Sequence, residues 1–426
     1  MSRFTRRSFL KKACAGLCGS AIHQSVFPDG GLMAYAMPPV IGALGQSPIM
    51  VVLNFAGGAD LNAMSPMYGG WYMDQNPTLA YTPANSRALD GNQGLHPALS
   101  YDPTQNDPNG GILWKLWNEG SFSIVNMVGM GDASGPKYTR AHDLDTEIKL
   151  SGYLSGSSTY GGWAPRLTAQ MSSALGGISM SDQALVTQGD VNPPRAVESL
   201  DGGGEYFGNT WFQQTRDNMV LQAENPLNHK HKFVHDSIVA YASAAQTLAA
   251  QANVTLPVAF PNTRLGNNFR DVSKIVNANL GAQFFFLQQG GYDTHSGARQ
   301  SVTNLLTEVN GALSAFVSCA KAQGWWNRVI ILTLSEFGRT MENGNQGNDH
   351  GFSNAMWVMG GGINGGRIIA PPPVLADLAN GSYVKNYWVD FRAVFKEAVA
   401  AMGYNSDSVF PGPIPNSAYA PTGIFS

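Results

Sequence analysis

"AQFFFLQQGGYDTHSG", residues 282–297, joins an apolar run centred on Phe284–Leu287 to two glycines and then to Asp293 and His295. A run with so little alternation is the pattern of a strand buried on both faces, as in a parallel sheet covered by helices. The glycines end the strand, and an acid and an imidazole follow where the chain leaves the sheet. The same order recurs twice. "PIMVVLNFAGGADLN", residues 48–62, carries Asp60 behind glycines, and "NRVIILTLSEFGRT", residues 327–340, carries Glu336 directly at a strand end. Open sheets of this kind bind ligands beyond the carboxyl ends of their strands, so these side chains are candidates for one shared site.

Outward from these strands, the pattern predicts an α/β fold: a three-layer αβα sandwich around a mostly parallel sheet. "IMVVLNF" (49–55), the helix-like "GILWKLWNEG" (111–120) and "FSIVNMVGM" (122–130) give a strand, helix, strand rhythm with an inserted loop. Residues 151–225 are turn-rich, without clear periodicity, and read as a loop-rich insertion or lid. Helices follow at "HDSIVAYASAAQTLAAQA" (235–252) and "FRDVSKIVNANL" (269–280). After the opening motif, Val302, Leu305, Leu306, Val309, Leu313, Phe316 and Val317 fall at spacings of three and four on one helical face, which Gly324 ends. The strand "RVIILTLS" comes at once, and the unit reads as a right-handed crossover between parallel neighbours. The strand "AMWVMGGGI" and the helix "DFRAVFKEAVAAMG" complete the core.

Composition narrows the function classes. The 426 residues are 43% hydrophobic, and 26 basic against 29 acidic side chains leave a net charge of -3, so no electrostatic footprint for nucleic acid is visible. The 49 glycines and 24 prolines suit long surface loops. At the N-terminus, "TRRSFLKK" sets Arg6 and Arg7 before Phe9 and Leu10, and "ACAGLCGSAI" follows. This resembles a twin-arginine export signal. "AYA" at Ala34–Ala36 fits a cleavage site, predicting a signal peptide over 1–36 and a mature chain, 37–426, that is exported folded to the periplasm or beyond through the twin-arginine machinery. The apolar stretch is too short to span a bilayer, so no transmembrane anchor is expected. Cys14 and Cys18 would leave with the signal, and Cys319, inside a helical pattern, reads as buried packing.

Four acids and two histidines around converging strand ends would repel and dehydrate one another unless something positive lies between them. Asp60, Asp293, His295 and Glu336, joined by Asp349 and His350 of "NDHG", therefore predict a divalent metal, with Zn, Mn, Mg and Ca as the candidates. Taken singly, each motif has an ordinary explanation: Asp after Gly is a common turn or N-cap, and "DTHS" could open the next helix. His231 and His235 lie four apart but among lysines, as on a solvated face. His142 follows the strand ending at Met130 and could reach the same sheet edge, and His96 reads as a packed loop histidine.

The succession "NFAGGADLN", "GLHPAL", "YTRAH", "GGYDTHS", "LSEFGRTMENGNQGNDHG" and "MGGGINGGRI" resembles the DUF1501 family of exported proteins, grouped with the alkaline phosphatase and sulfatase superfamily. The resemblance implies an alkaline phosphatase-like fold, in which strand-end acids and an Asp-His-Gly element hold metals that polarise a phosphate or sulfate ester. Asp60, the pair Asp293 and His295, and the pair Asp349 and His350 take those places. Glu336 stands where the superfamily often reads Ser-Asp-His-Gly; in that register Phe337 replaces a metal-binding histidine and one metal site is missing. For the nucleophile the resemblance points to Thr139, with Ser134 behind it and Arg140 to pair with the ester anion, although a Cys-x-Pro-Ser-Arg pattern puts Pro136 at that place. His142 would carry a proton. The reading is a metal-dependent hydrolase acting on an anionic ester. Its rival is a non-catalytic envelope or surface protein that binds glycans or proteins around a structural metal.

Overall fold

The computed structural model describes residues 47–101, 110–154, 161–173, 175–189, 191–200, 247–415 and 422–425. All of them fall within the unit Pro38–Ser426. The paired arginines, His231, His235, most of the helix expected from 235 and the remainder of the 151–225 segment lie outside the described residues.

Strand β1 (Ile49–Phe55) is buried along its whole length. Its side chains alternate between two cores, as a pleated strand requires. Val51, Leu53 and Phe55 enter one, while Met50 and Val52 enter the other. The first core is closed by helices α3 (Ile112–Asn118), α6 (Arg264–Asn277) and α7 (Ala298–Ala322), through Leu113, Phe269 and Phe316. The second is closed by α5 (Trp163–Thr168), α8 (Phe391–Ala401) and α9 (Ser406–Val409), through Trp163, Phe395 and Val409. Helices on both faces of one sheet make the expected three layers.

Among the described residues the sheet has nine strands. β5 (Phe284–Gln289) and β6 (Val329–Leu334) both pair β1 in parallel, one on each side. The expected direct pairing of β5 with β6 is therefore corrected: β1 lies between them. An all-apolar strand needs a partner on both edges, and the 25-residue α7 is long enough, at about 37 Å, to carry the chain across it. Beyond β6 lie β9 (Asn354–Met359), antiparallel, and then β2 (Phe122–Gly129). β10 (Arg367–Ile369) and β11 (Val389–Asp390) add parallel to β2. The reversal at β9 was not expected. No helix separates it from β6; the chain instead makes a hairpin, β7 (Arg339–Glu342) with β8 (Asn348–His350), at the sheet's edge and turns straight back.

Two strands within the segment expected to be a loop-rich insertion join the sheet. β3 (Gly177–Met180) pairs β5 in parallel and β4 (Arg195–Ala196) pairs β3. Strands this short have no readable period, and their partner defines them. Among the described residues no helix is long and apolar enough to cross a membrane.

Candidate metal centre

The loops after β1, β5 and β6 converge with the start of α4 (His142–Ser151) and with the β7–β8 hairpin. Two short helices follow β1 along the chain, α1 (Leu61–Met64) and α2 (Pro97–Ser100). Among the described residues, one group of side chains has ligand atoms close enough for a single ion: His142, Asp293 and His350, whose atoms lie within 4.8 Å of one another.

Each histidine is oriented by its other ring nitrogen. His350 Nδ1 lies 2.8 Å from the Arg140 carbonyl oxygen, which only accepts, so Nδ1 carries the proton and Nε2 turns its lone pair to Asp293 Oδ1 at 3.3 Å. His142 Nδ1 lies 2.9 Å from Glu336 Oε1 and donates to it. The opposite nitrogen, His142 Nε2, is buried, has no hydrogen-bond partner, and lies 3.4 Å from the same Asp293 oxygen. With both rings neutral, two Nε2 lone pairs face one carboxylate oxygen, a conflict that a cation between them would remove. The residues present therefore fit a divalent metal, which His142, Asp293 and His350 would hold.

The loops that carry these groups are locked together. Gly57 donates its N–H to Glu336 Oε1 at 2.9 Å. It sits at φ +113, and a Cβ there would come 2.6 Å from the Asp293 backbone nitrogen, so only glycine allows this approach. Ser335 Oγ accepts from Ala59 N at 2.9 Å and donates to the Phe55 carbonyl at 2.8 Å. Asn354 ties Leu61 N (3.0 Å) to the carbonyls of Ala59 (2.7 Å) and Phe337 (3.2 Å). Asp145 collects Thr139 N (2.8 Å), Thr139 Oγ1 (2.9 Å) and Arg140 N (2.8 Å), which shapes the turn into α4.

The other expected site residues take different places. Asp60 caps α1, accepting from Ala63 N at 3.0 Å, and its second oxygen lies 3.4 Å from Asn348 Nδ2. Burial pushes its carboxyl up to about 6, against the backbone bond from Ala63 and the charge of Arg339. Glu336 stands one layer behind His142. His295 bridges two carboxylates, with Nε2 2.9 Å from Asp293 Oδ1 and Nδ1 2.7 Å from Asp349 Oδ1. Its hydrogen bond holds the Asp349 carboxyl below the usual range. Burial would raise Asp293, but the hydrogen bond and charge of the Arg339 guanidinium outweigh it and hold the group at about 2. Thr139 is exposed, and its hydroxyl also accepts from Ala141 N at 3.1 Å. Arg140 bonds the His350 carbonyl through Nε at 2.7 Å and lies over the Tyr383 ring, 4.4 Å from its centre. Phe337 packs against the rings of both His142 (5.0 Å) and His350 (4.7 Å) as an apolar wall.

Sequence reasoning missed Arg339, Asn348 and Asn354. The first sits inside the quoted "SEFGRT" yet is almost wholly buried, at 2% exposure, which nothing in the local pattern signals.

Three solved structures that the chain is similar to are the sulfatase PsFucS1 from Pseudoalteromonas sp. (11% identity, covering 89% of this chain and 73% of that one, TM-score 0.37), Ps i-CgsB (8%, 86% and 75%, 0.40) and the lipoteichoic acid synthase LtaP from Listeria monocytogenes (9%, 76% and 66%, 0.30). No curated protein matches the sequence. Residues 275–415, from the last turn of α6 to just past α9, match the family model described as "Protein of unknown function (DUF1501)".

Proposed function

We propose that the protein is an exported, metal-dependent hydrolase of anionic esters, phosphate or sulfate, with His142, Asp293 and His350 holding the metal. The observation that carries this reading is the buried, unpartnered Nε2 of His142 beside Asp293, matched by the oriented Nε2 of His350. The openness of the site adds support: the side chains of His142 and Asp293 are 38% and 47% exposed. Three protein ligands with solvent access are the arrangement of a catalytic centre, whereas structural sites are closed by a fourth. A divalent cation would supply Lewis acidity to an ester oxygen. Arg140 contributes an anion-binding fork: its Nε is anchored on His350, and no hydrogen bond from its two terminal nitrogens to a described residue competes with an ester. Phe337 keeps water from one side of the two imidazoles. Twin-arginine export of the folded, metal-loaded chain agrees with such a site.

One observation favours the non-catalytic alternative. The Thr139 hydroxyl is engaged by Asp145 and Ala141, as in a structural turn, so a metal clamp in a glycan- or protein-binding surface remains the second reading. The deciding experiment is metal analysis of protein purified without chelator, followed by nitrophenyl phosphate, phosphodiester and sulfate assays with Zn, Mn, Mg and Ca in turn. Turnover that needs the metal and vanishes in Asp293→Asn is expected. Folded, metal-loaded protein with no turnover above the Asp293→Asn background would move the assignment to the binding role.

A further inference from the structure

The side chain of Arg339 is fully buried, and its guanidinium meets four acceptors. Nε donates to the Gly58 carbonyl at 2.5 Å, Nη1 to the Asn348 carbonyl at 3.2 Å, and Nη2 both to the Gly57 carbonyl and to Asp293 Oδ1, the latter at 2.5 Å. These acceptors come from the loop after β1, the loop after β5 and the β7–β8 hairpin. The same Asp293 oxygen is the point that His142 Nε2 and His350 Nε2 approach. A cation buried beside a cation site has two opposite effects. Its charge repels the metal, and its hydrogen bonds hold the carboxylate and both glycine-loop carbonyls in place.

We infer that Arg339 is a positioning residue for the metal centre: it fixes Asp293 between the two imidazoles, and this gain in metal affinity exceeds the repulsion. Three considerations set the sign. The guanidinium charge is already paired with Asp293, which reduces what the metal feels. The four acceptors are spread over Nε, Nη1 and Nη2, a span that the planar fork covers and the single nitrogen of an ammonium does not. Partners that orient metal ligands typically change affinity by about 10–100-fold when removed. Asp293 is 47% exposed on a loop, so without the fork its carboxylate has many rotamers to lose on binding.

The inference rests on the metal reading above, and the test separates the two. Zinc and manganese are titrated into wild-type protein, Arg339→Gln and Arg339→Lys, with affinity read by competition against a chelating indicator. In parallel, the metal-induced rise in unfolding temperature is read on each variant's own metal-free baseline, so that a destabilised variant still reports. Both variants are expected to bind at least about 10-fold more weakly than wild type. Equal affinity in Arg339→Lys would show that charge alone suffices and would overturn the inference. Tighter binding in Arg339→Gln would show that repulsion dominates and would overturn it too. A lower unfolding temperature with unchanged affinity would make Arg339 merely structural. No binding by wild type would remove the metal reading itself.

Discussion

His96 should make this protein acid-sensitive in a way that a single substitution removes. It is 1% exposed and caps α2: its Nδ1 accepts the Ala98 N–H at 3.1 Å, and Tyr81 packs edge-on at 4.5 Å. Because Nδ1 is the acceptor, the neutral ring carries its proton on Nε2, which lies 3.4 Å from Thr303 Oγ1. Protonation at Nδ1 would break the cap and bury a charge. Burial first, and the nearby charge of Arg299 second, lower its pKa to about 3 from 6.5. The unfolded chain therefore binds a proton that the folded chain refuses. Stability from this group is complete above about pH 6.5 and is lost as pH falls towards about 3. At about 1.36 kcal/mol per pH unit for one proton, the loss between pH 6.5 and 5 is about 2 kcal/mol. His96→Asn keeps a capping acceptor but cannot titrate, and loses the ring contact, which costs about 1 kcal/mol at pH 7.5. Urea unfolding of both proteins at pH 7.5, 6.5, 5.5 and 5 should show wild type ahead at pH 7.5 and the advantage reversed by pH 5. A difference that stays constant within about 0.5 kcal/mol across that range would refute the reasoning.

Asp60→Asn should retain metal and gain stability at neutral pH. The folded carboxyl is raised to about 6 while the unfolded one stays at 3.8, so the folded state holds the extra proton and stability falls as pH rises through that window. Asparagine preserves the cap without the charge, for a gain on the order of 1–2 kcal/mol above pH 7; loss of metal in this variant would instead make Asp60 a ligand. Thr139→Ala should leave metal content unchanged and cost about 1 kcal/mol of stability from the turn held by Asp145. If turnover also disappears, Thr139 attacks the ester; if it persists, water does. Changing Arg6 and Arg7 together to Lys should hold the protein in the cytoplasm, and normal appearance of the variant outside would reject the twin-arginine signal.

The architecture was legible wherever one segment by itself carried the physical constraint. β1, β5 and β6 announce themselves as apolar runs because both faces of each are buried, and α7 by its spacing of three and four. The acids behind those strands could be grouped without coordinates, since parallel strands present their carboxyl ends at one edge. Where pairing rather than pattern defines an element, the sequence was silent. β3 and β4 are too short for a period, and β9 reverses only because the β7–β8 hairpin takes the place of a helix.

The residue types of the candidate centre were likewise present in the text, but their division of labour was not. Asp60, Glu336, His295 and Asp349 carry the same chemistry as Asp293 and His350, and sequence treats them alike. Tertiary structure separates them: Asp60 caps a helix, Glu336 turns toward His142, 194 positions away, and Asp349 turns toward His295. Arg339 meets Asp293 across 46 positions in a place that residue type argues against. By itself the sequence determined which groups arrive at the sheet edge, through strand direction and chain order. Which nitrogen keeps its proton, which oxygen is already bonded and which lone pair stays free depend on hydrogen-bond partners from distant segments, and only the folded chain brings those together.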